Sequence, residues 1–222
     1  MITLLSPAKD LKIEPENGVS GTSEPAFLDK SELLVGVLKK KSAKSLSKLM
    51  HLSPALGELN YERYQEWSRP FNGNAKPAID MFNGEVYKSL SAGTLSKSDR
   101  KYASDHVMIL SGLYGILKAE DRILPYRLQM GTNLKVKRKK NLYEFWGNDQ
   151  TTFINQAGEE TGSTFVVNLA SNEYFRSVNE EQLIVPVVTP VFKDLAKNGE
   201  YKTKFFFAKK ARGKMTRFII NH

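Results

Sequence analysis

The stretch 97–115, KSDRKYASDHVMILSGLYG, decides the fold. Its first ten residues are polar and compatible with a helix, with Ser96 or Ser98 as cap, and they feed the apolar run 107–110. A run that short and that apolar reads as a strand buried on both faces. Gly112 and Gly115 then stand three apart in the turn Ser111-Gly-Leu-Tyr-Gly115. A helix feeding a buried strand is the unit of an α/β protein, and the alternation recurs on either side. Upstream, Ile2–Leu5 is a second short apolar run, and Ser6-Pro7 ends it, so Ser6 and Lys9 arrive at a strand's carboxyl end. Downstream, 164–169 (TFVVNL) is a strand, and 183–191 is one that Pro186 and Pro190 demote to an edge. The segment 201–207 (YKTKFFF) is strongly β-prone. The fold expected is α/β: one mixed domain over residues 1–222, with a central sheet flanked by helices.

Helical spacing runs through Leu33, Leu34, Val37 and Leu38, with Asp29 or Ser31 as cap. A second helix over 44–51 turns Leu46, Leu49 and Met50 inward. Ser53-Pro54 supplies a cap and a first-turn proline for a third, running through Leu56, Leu59, Arg63 and Trp67. Residues 17–25 (NGVSGTSEP) and 72–76 are breaks, and Asn83-Gly84 is a turn. The densest positive run, 135–140 (KVKRKK), reads as a solvated loop because no aromatic interleaves its cations, and 141–146 (NLYEFW) opens another helix. The last helix, 208–220 (AKKARGKMTRFII), carries five cations. At about 100° per residue, Ala211, Met215, Phe218 and Ile219 share one side, and Lys210, Lys214 and Arg217 cluster opposite. Gly213 costs a helix about 1 kcal/mol relative to alanine, which points to close approach by another backbone or a ligand.

Composition narrows the chemistry. The chain has 222 residues, 41% of them hydrophobic, enough for one sizeable core. There is no apolar run of about 18 residues, and MITLLSPAKD is too soon broken to be a signal peptide, so the expected location is the cytoplasm, with no membrane partner. The absence of cysteine excludes thiol catalysis, disulfides and cysteine-ligated metal clusters. His51, His106 and His222 are scattered, so no transition-metal site and no cofactor is expected, while carboxylate-bound magnesium stays open. A net charge of +9 favours polyanionic partners.

Several polar groups fall at strand ends and turns: Ser6 and Lys9, Ser111 with Gly112 and Gly115, Tyr126-Arg127, Asn168 with Glu173 and Tyr174, and Lys209, Lys210 and Arg212. If they converge outside the sheet's carboxyl edge, they make an enzyme site for a phosphorylated or nucleotide-like molecule. Lys9, Arg127 and Arg212 would then hold phosphate or carboxylate, with Glu173 or Asp121 as general base. The 112–115 turn either aims amides at an anion or is a tight strand-to-helix turn. Arg127 and Glu173 could equally be structural ion pairs.

Taken together, Ser6-Pro-Ala-Lys9, Phe82-Asn-Gly-Glu-Val-Tyr87, Leu110-Ser-Gly-Leu-Tyr-Gly115, Pro125-Tyr-Arg-Leu-Gln-Met-Gly131, Leu142-Tyr-Glu-Phe-Trp146, Asn168-Leu-Ala-Ser-Asn-Glu-Tyr174 and Lys209-Lys-Ala-Arg-Gly213 resemble the YaaA peroxide-stress-resistance family. The resemblance covers essentially the whole chain. It implies a bacterial cytosolic protein that limits free intracellular iron under hydrogen peroxide and binds DNA, including distorted duplexes. It also implies an unusual α/β fold with a helix-hairpin-helix element, a positive cleft and, in most members, a further C-terminal segment. Residues 44–67 match that element best, with Lys44, Lys48 and Arg63 as flanking cations and Gly57 in the hairpin. On this reading Lys210, Lys214 and Arg217 neutralise phosphates along a groove, whereas Lys209 and Arg212 are better placed to point into a pocket.

Overall fold

Ile2–Leu5 forms β1, all four of whose side chains are buried. The chain continues through α1 (Leu28–Lys39), α2 (Ala43–Met50), α3 (Pro54–Glu66), β2 (Lys76–Pro77), α4 (Ala78–Met81), α5 (Glu85–Leu90) and α6 (Lys97–His106). Next come β3 (Val107–Ser111), β4 (Gly115–Lys118), β5 (Arg122–Ile123), α7 (Leu142–Trp146), α8 (Asp149–Glu160), β6 (Val166–Asn168), α9 (Asn172–Phe175) and β7 (Val187–Val188). A short pair, β8 (Asp194–Leu195) and β9 (Tyr201–Lys202), precedes the long α10 (Phe205–Asn221). The computed structural model describes residues 1–13, 21–71, 73–195 and 199–222, so residues 17–20 of the loop expected at 17–25, and Asn72, lie outside the described residues.

The main sheet has the order β4-β3-β1-β6-β7. β1 runs parallel to β3 and β6, β6 runs parallel to β7, and β4 returns antiparallel to β3. α6 and α8 pack on it, which gives the mixed α/β fold expected from the alternating sequence. The chain moves from β1 to β3 on one side and later reaches β6 on the other. Such a reversal opens a crevice outside the carboxyl ends of the strands. Ser6 and Ser171 face each other there, since the Ser171 amide donates to Ser6 Oγ at 2.8 Å.

Local rules account for several helices. Ser96 and Asp99 form a reciprocal capping box on α6. Ser53 caps α3, with Pro54 in its first turn. α1 differs from expectation: neither Asp29 nor Ser31 caps it, because the helix starts at Leu28, where Ser31 Oγ donates back to the Phe27 carbonyl and Asp29 pairs with Arg69. α3 also presents a different face. Leu56 and Leu59 are exposed, while Gly57, Asn60 and Tyr64 are buried. The cause is the crossing with α2, where a Cβ on Gly57 would lie 1.8 Å from Ser47 Oγ.

Two expectations fail in the second half of the chain. The segment 201–207 forms only the two residues of β9; Phe205, Phe206 and Phe207 belong to α10, where β propensity loses to continuous helix hydrogen bonding. The glycine turn joins β3 to β4, strand to strand, and is buried throughout. Its glycines serve packing: a Cβ on Gly112 would lie 2.3 Å from the Leu128 carbonyl oxygen, and Gly115 takes φ +74° against the Trp146 ring. Ser111 Oγ accepts from the Tyr114 amide and bonds the Tyr126 hydroxyl. Ser111, Gly112 and Gly115 therefore cannot cradle a phosphate, because no ligand reaches a turn sealed under Leu128 and Trp146.

Asp121 is likewise structural. Its carboxylate accepts from Ser23 Oγ and the Lys118 amide and is absent from the cavity described below, which removes it as a general base. Burial pushes its pKa up to about 6, against the lowering effect of those hydrogen bonds. The folded state thus holds this proton more tightly than the unfolded chain, whose aspartate titrates near about 3.9. Its contribution to stability is complete below about pH 4 and is lost as pH rises through about 6, a fall of about 3 kcal/mol at most. Asp121→Asn, whose amide can accept from Lys118 and donate to Ser23, should flatten that fall in urea unfolding measured from pH 4 to 7. An unchanged slope would assign the fall to other groups.

Candidate functional site

A cavity of about 550 Å³ opens in the crevice outside β1 and β6. Five segments far apart in sequence build its wall: Ser6 to Asp10 after β1, Asn83 to Lys88 entering α5, Tyr126 to Gln129 after β5, Leu169 to Tyr174 around α9, and Lys209 with Arg212 from α10. All five residues singled out for an enzyme site, Lys9, Arg127, Glu173, Lys209 and Arg212, line this one cavity. Lys9 and Lys209 are exposed at its mouth, while Arg127, Arg212 and Glu173 are half-buried.

The charge is unbalanced. Among the described residues, none of the four cations Lys9, Arg127, Lys209 and Arg212 makes an ion pair. This replaces the expectation of structural ion pairs at Arg127 and Glu173. Glu173 is tied elsewhere, with Oε1 accepting from the Gly131 amide at 3.0 Å and its backbone carbonyl accepting from the Tyr143 hydroxyl. Asp10 accepts from the Asn83 side chain. Burial lowers the pKa of Arg212, so its charge sits there at a cost. Unpaired, partly desolvated guanidiniums facing a common space have the chemistry that an anion site requires.

Tyrosine rings close the inner wall. Tyr87, Tyr126 and Tyr174 are 5%, 4% and 8% exposed, so only the ring surface turned to the cavity remains accessible. The Tyr87 hydroxyl donates to the Ser6 carbonyl and that of Tyr126 bonds Ser111 Oγ. Burial raises the pKa of all three phenols, which keeps them protonated. Asn168 stays outside the lining: its side chain fixes the loop after β6 by accepting from the Ala170 amide.

α10 reaches this site through its contact with α5. A Cβ on Gly213 would lie 2.0 Å from the Val86 carbonyl oxygen, so the glycine marks the close backbone approach expected of it. That approach turns the helix away from its hydropathy pattern: Gly213 and Thr216 are buried, Phe218 is exposed and Ala211 and Met215 are intermediate. Arg217 is corrected as a DNA contact. Its guanidinium caps the end of α5, donating to the Leu90 and Ser91 carbonyls and to Thr94. Lys210 lies over the Phe206 ring at 4.5 Å, and Lys214 is exposed.

α2 and α3 form a helical hairpin joined at 51–53, with Lys44 and Lys48 exposed on α2. Gly57 is not in that connection. It sits in the first turn of α3 with its amide bonded to the Ser53 carbonyl, so it offers no amide to a phosphate. Arg63 is half-buried in a neighbouring cleft.

Asp10, Asn83, Tyr87, Gln129 and Ser171 line the cavity without having been expected as site residues, although all but Asp10 lie within the motifs quoted above. Among the described residues no three His, Asp or Glu side chains group as metal ligands would, and no helix is long and apolar enough to cross a membrane.

The whole chain, residues 1–222, matches the family described as Peroxide stress protein YaaA. It is 47% identical over 222 residues to the UPF0246 protein IL2146 of Idiomarina loihiensis, covering 100% of this chain and 86% of that one. It is 47% identical over 223 residues to a UPF0246 protein of Hahella chejuensis, covering 100% and 87%, and 46% identical over 223 residues to one of Neisseria gonorrhoeae, covering 100% and 86%. The order of the matching motifs along the sequence, the mixed α/β sheet and these likenesses agree: the chain belongs to the YaaA family of peroxide stress proteins.

Proposed function

We propose that the protein serves the peroxide-stress response by binding, and acting on, a phosphorylated small molecule in the basic cavity. The observation behind this is the convergence of Lys9, Arg127, Lys209 and Arg212, spread over the whole sequence, on one space without ion-pair partners among the described residues. A chain that only coats a duplex has no need to assemble such a wall from five segments. In this reading the cations bind the phosphate, the tyrosine wall seats the rest of the molecule, and Glu173 is the general base, held in place by Gly131. In this reading any effect on iron is indirect, since an excess of cations in the cavity repels a metal ion. Isothermal titration with inorganic pyrophosphate and with nucleoside monophosphates and diphosphates tests the reading. One saturable site per chain supports it; heat of dilution only, across the series, refutes it.

A second reading is DNA binding along the phosphate backbone, favoured by the exposed lysines of the α2–α3 hairpin. It predicts affinity for a bulged duplex that falls steeply with salt. Changing Lys44 and Lys48 to glutamine should lower the slope of log affinity against log salt by about 2, near 0.9 per phosphate contact. An unchanged slope would move any DNA contact off this hairpin.

A further inference from the structure

The cavity that gathers the cations also holds carboxylates: Asp10, Glu85 and Glu173 line the same space as Lys9, Arg127, Lys209 and Arg212. Glu173 accepts from the Gly131 amide. Glu85 differs from it. It is half-buried, and among the described residues its side chain makes no hydrogen bond and no ion pair.

Contacts on both sides fix where Glu85 stands. It opens α5, and Gly84 just before it packs so closely on the chain after β1 that a Cβ there would lie 2.9 Å from Ala8 Cβ. Asn83 ties the same two segments, its backbone amide donating to the Asp10 carbonyl and its side chain to Asp10 Oδ2, each at 2.9 Å. Val86 just after it meets Gly213, the neighbour of Arg212 on α10. Asp10 and Glu85 thus belong to one stretch of wall, and the helix that brings Arg212 and Lys209 to the cavity packs beside it. Even so, among the described residues none of these cations pairs with either carboxylate.

Electrostatics decides what such a wall can face. A half-buried carboxylate with neither cation nor donor is costly, and it repels the phosphate that the cations attract. A ligand that is phosphate alone leaves that cost in place. A ligand that carries hydrogen-bond donors beside its phosphate relieves it, because each carboxylate accepts several hydrogen bonds. The donors should be neutral, since the surrounding cations repel an ammonium group. Adjacent hydroxyl groups meet all three conditions.

We infer that Asp10 and Glu85 accept from the hydroxyls of a phosphorylated sugar, either free or as the ribose of a nucleotide, and that Glu85 selects this ligand over other phosphates. The inference rests on the cavity reading above and narrows its substrate class. The cations hold the phosphate, and Glu85 is a specificity residue for the part of the ligand that carries no charge.

Calorimetric titration with inorganic phosphate, ribose 5-phosphate and adenosine 5′-monophosphate tests it. The wild-type protein is expected to bind ribose 5-phosphate about tenfold or more tighter than inorganic phosphate, the effect of one added charge-assisted hydrogen bond. Glu85→Gln should remove that preference while inorganic phosphate binds as well as before or better, since a repelling charge has gone. Asp10→Asn should act in the same direction. Damage to the fold would weaken both ligands together, and circular dichroism melting of each variant reads it separately. Equal affinity for ribose 5-phosphate and the nucleotide assigns recognition to a free sugar phosphate, and tighter binding of the nucleotide assigns it to a nucleotide's ribose. A wild-type protein that binds inorganic phosphate as tightly as both sugar phosphates overturns the inference and leaves the cavity reading standing. So does a folded Glu85→Gln protein that keeps the preference. Binding of none of the three, nor of pyrophosphate, to the wild type overturns the cavity reading as well.

Discussion

Replacing Lys209 and Arg212 together with alanine is expected to weaken phosphate-ligand binding by about a hundredfold or more while leaving the unliganded protein as stable as before, or slightly more so. Each side chain offers a charge-assisted hydrogen bond worth about 1.5–3 kcal/mol, and two such losses exceed the 2.7 kcal/mol or so that a hundredfold represents. The stability half of the prediction follows from the same geometry. Among the described residues neither cation has an anionic partner, and burial works against the charge of Arg212. Their removal therefore relieves repulsion and desolvation without breaking an ion pair. Groups held for structure behave the other way, losing stability when removed. Calorimetry for binding and thermal unfolding for stability read the two halves separately, and a drop in melting temperature of several degrees would mean that these residues hold α10 in place.

Arg100→Met is expected to show that opposite behaviour, costing about 3–5 kcal/mol at neutral pH without touching the cavity. Arg100 on α6 meets Asp80 of α4 through both terminal nitrogens, at 2.5 and 3.2 Å, and one of them also lies 2.8 Å from Glu120 Oε1, off the line of a hydrogen bond. The carboxylate side chains are only 4% and 7% exposed. Burial works against the charge on Arg100, but its contacts with Asp80 and Glu120 outweigh this and hold its pKa above the usual range. Burial, partly countered by Arg100, raises that of Glu120. Methionine fills the space and leaves two buried carboxylates with no counter-charge. The pKa of Glu120, which burial already raises and Arg100 now no longer lowers, then lies further above its value in the unfolded chain, so the variant should regain stability as pH falls from 7 towards 5. Urea unfolding at both pH values reads this; a deficit that stays constant would place the loss in packing rather than in charge.

The backbone architecture was legible wherever a local pattern was strong. The runs at β1 and β3, the capping serines at 53 and 96 and the proline-broken edge at β7 are each dictated by a few adjacent residues. What the sequence hid were the decisions made by contacts between distant segments. The face that α3 buries depends on Ser47 of α2 meeting Gly57, and the face that α10 buries depends on Val86 meeting Gly213. Hydropathy spacing contains neither fact. Phe205, Phe206 and Phe207 read as strand because aromatic residues favour it, yet the helix that carries Lys209 and Arg212 extends back through them.

The cavity was partly legible for a physical reason. Charged residues at strand ends and turns must point somewhere, and in a sheet whose strand order reverses they share one edge. Lys9 after β1 and Glu173 after β6 obey that rule, and Arg127 after β5 with Lys209 and Arg212 of α10 join them from outside the main sheet. Arg217 and Asp121 show its failure, because a charge can equally well cap a neighbouring helix or sit inside a tight turn. Tyr87 was hidden too, since a tyrosine in a core and a tyrosine walling a cavity look alike in sequence.

Binding of a phosphorylated small molecule in this cavity is read most directly by calorimetric titration of inorganic pyrophosphate into the wild-type protein and into the Lys209→Ala/Arg212→Ala protein, in parallel at physiological salt. One saturable site per chain is expected in the first and at least about a hundredfold weaker binding in the second, with both proteins equally folded. Equal binding by the two proteins, or none by the wild type, would contradict it.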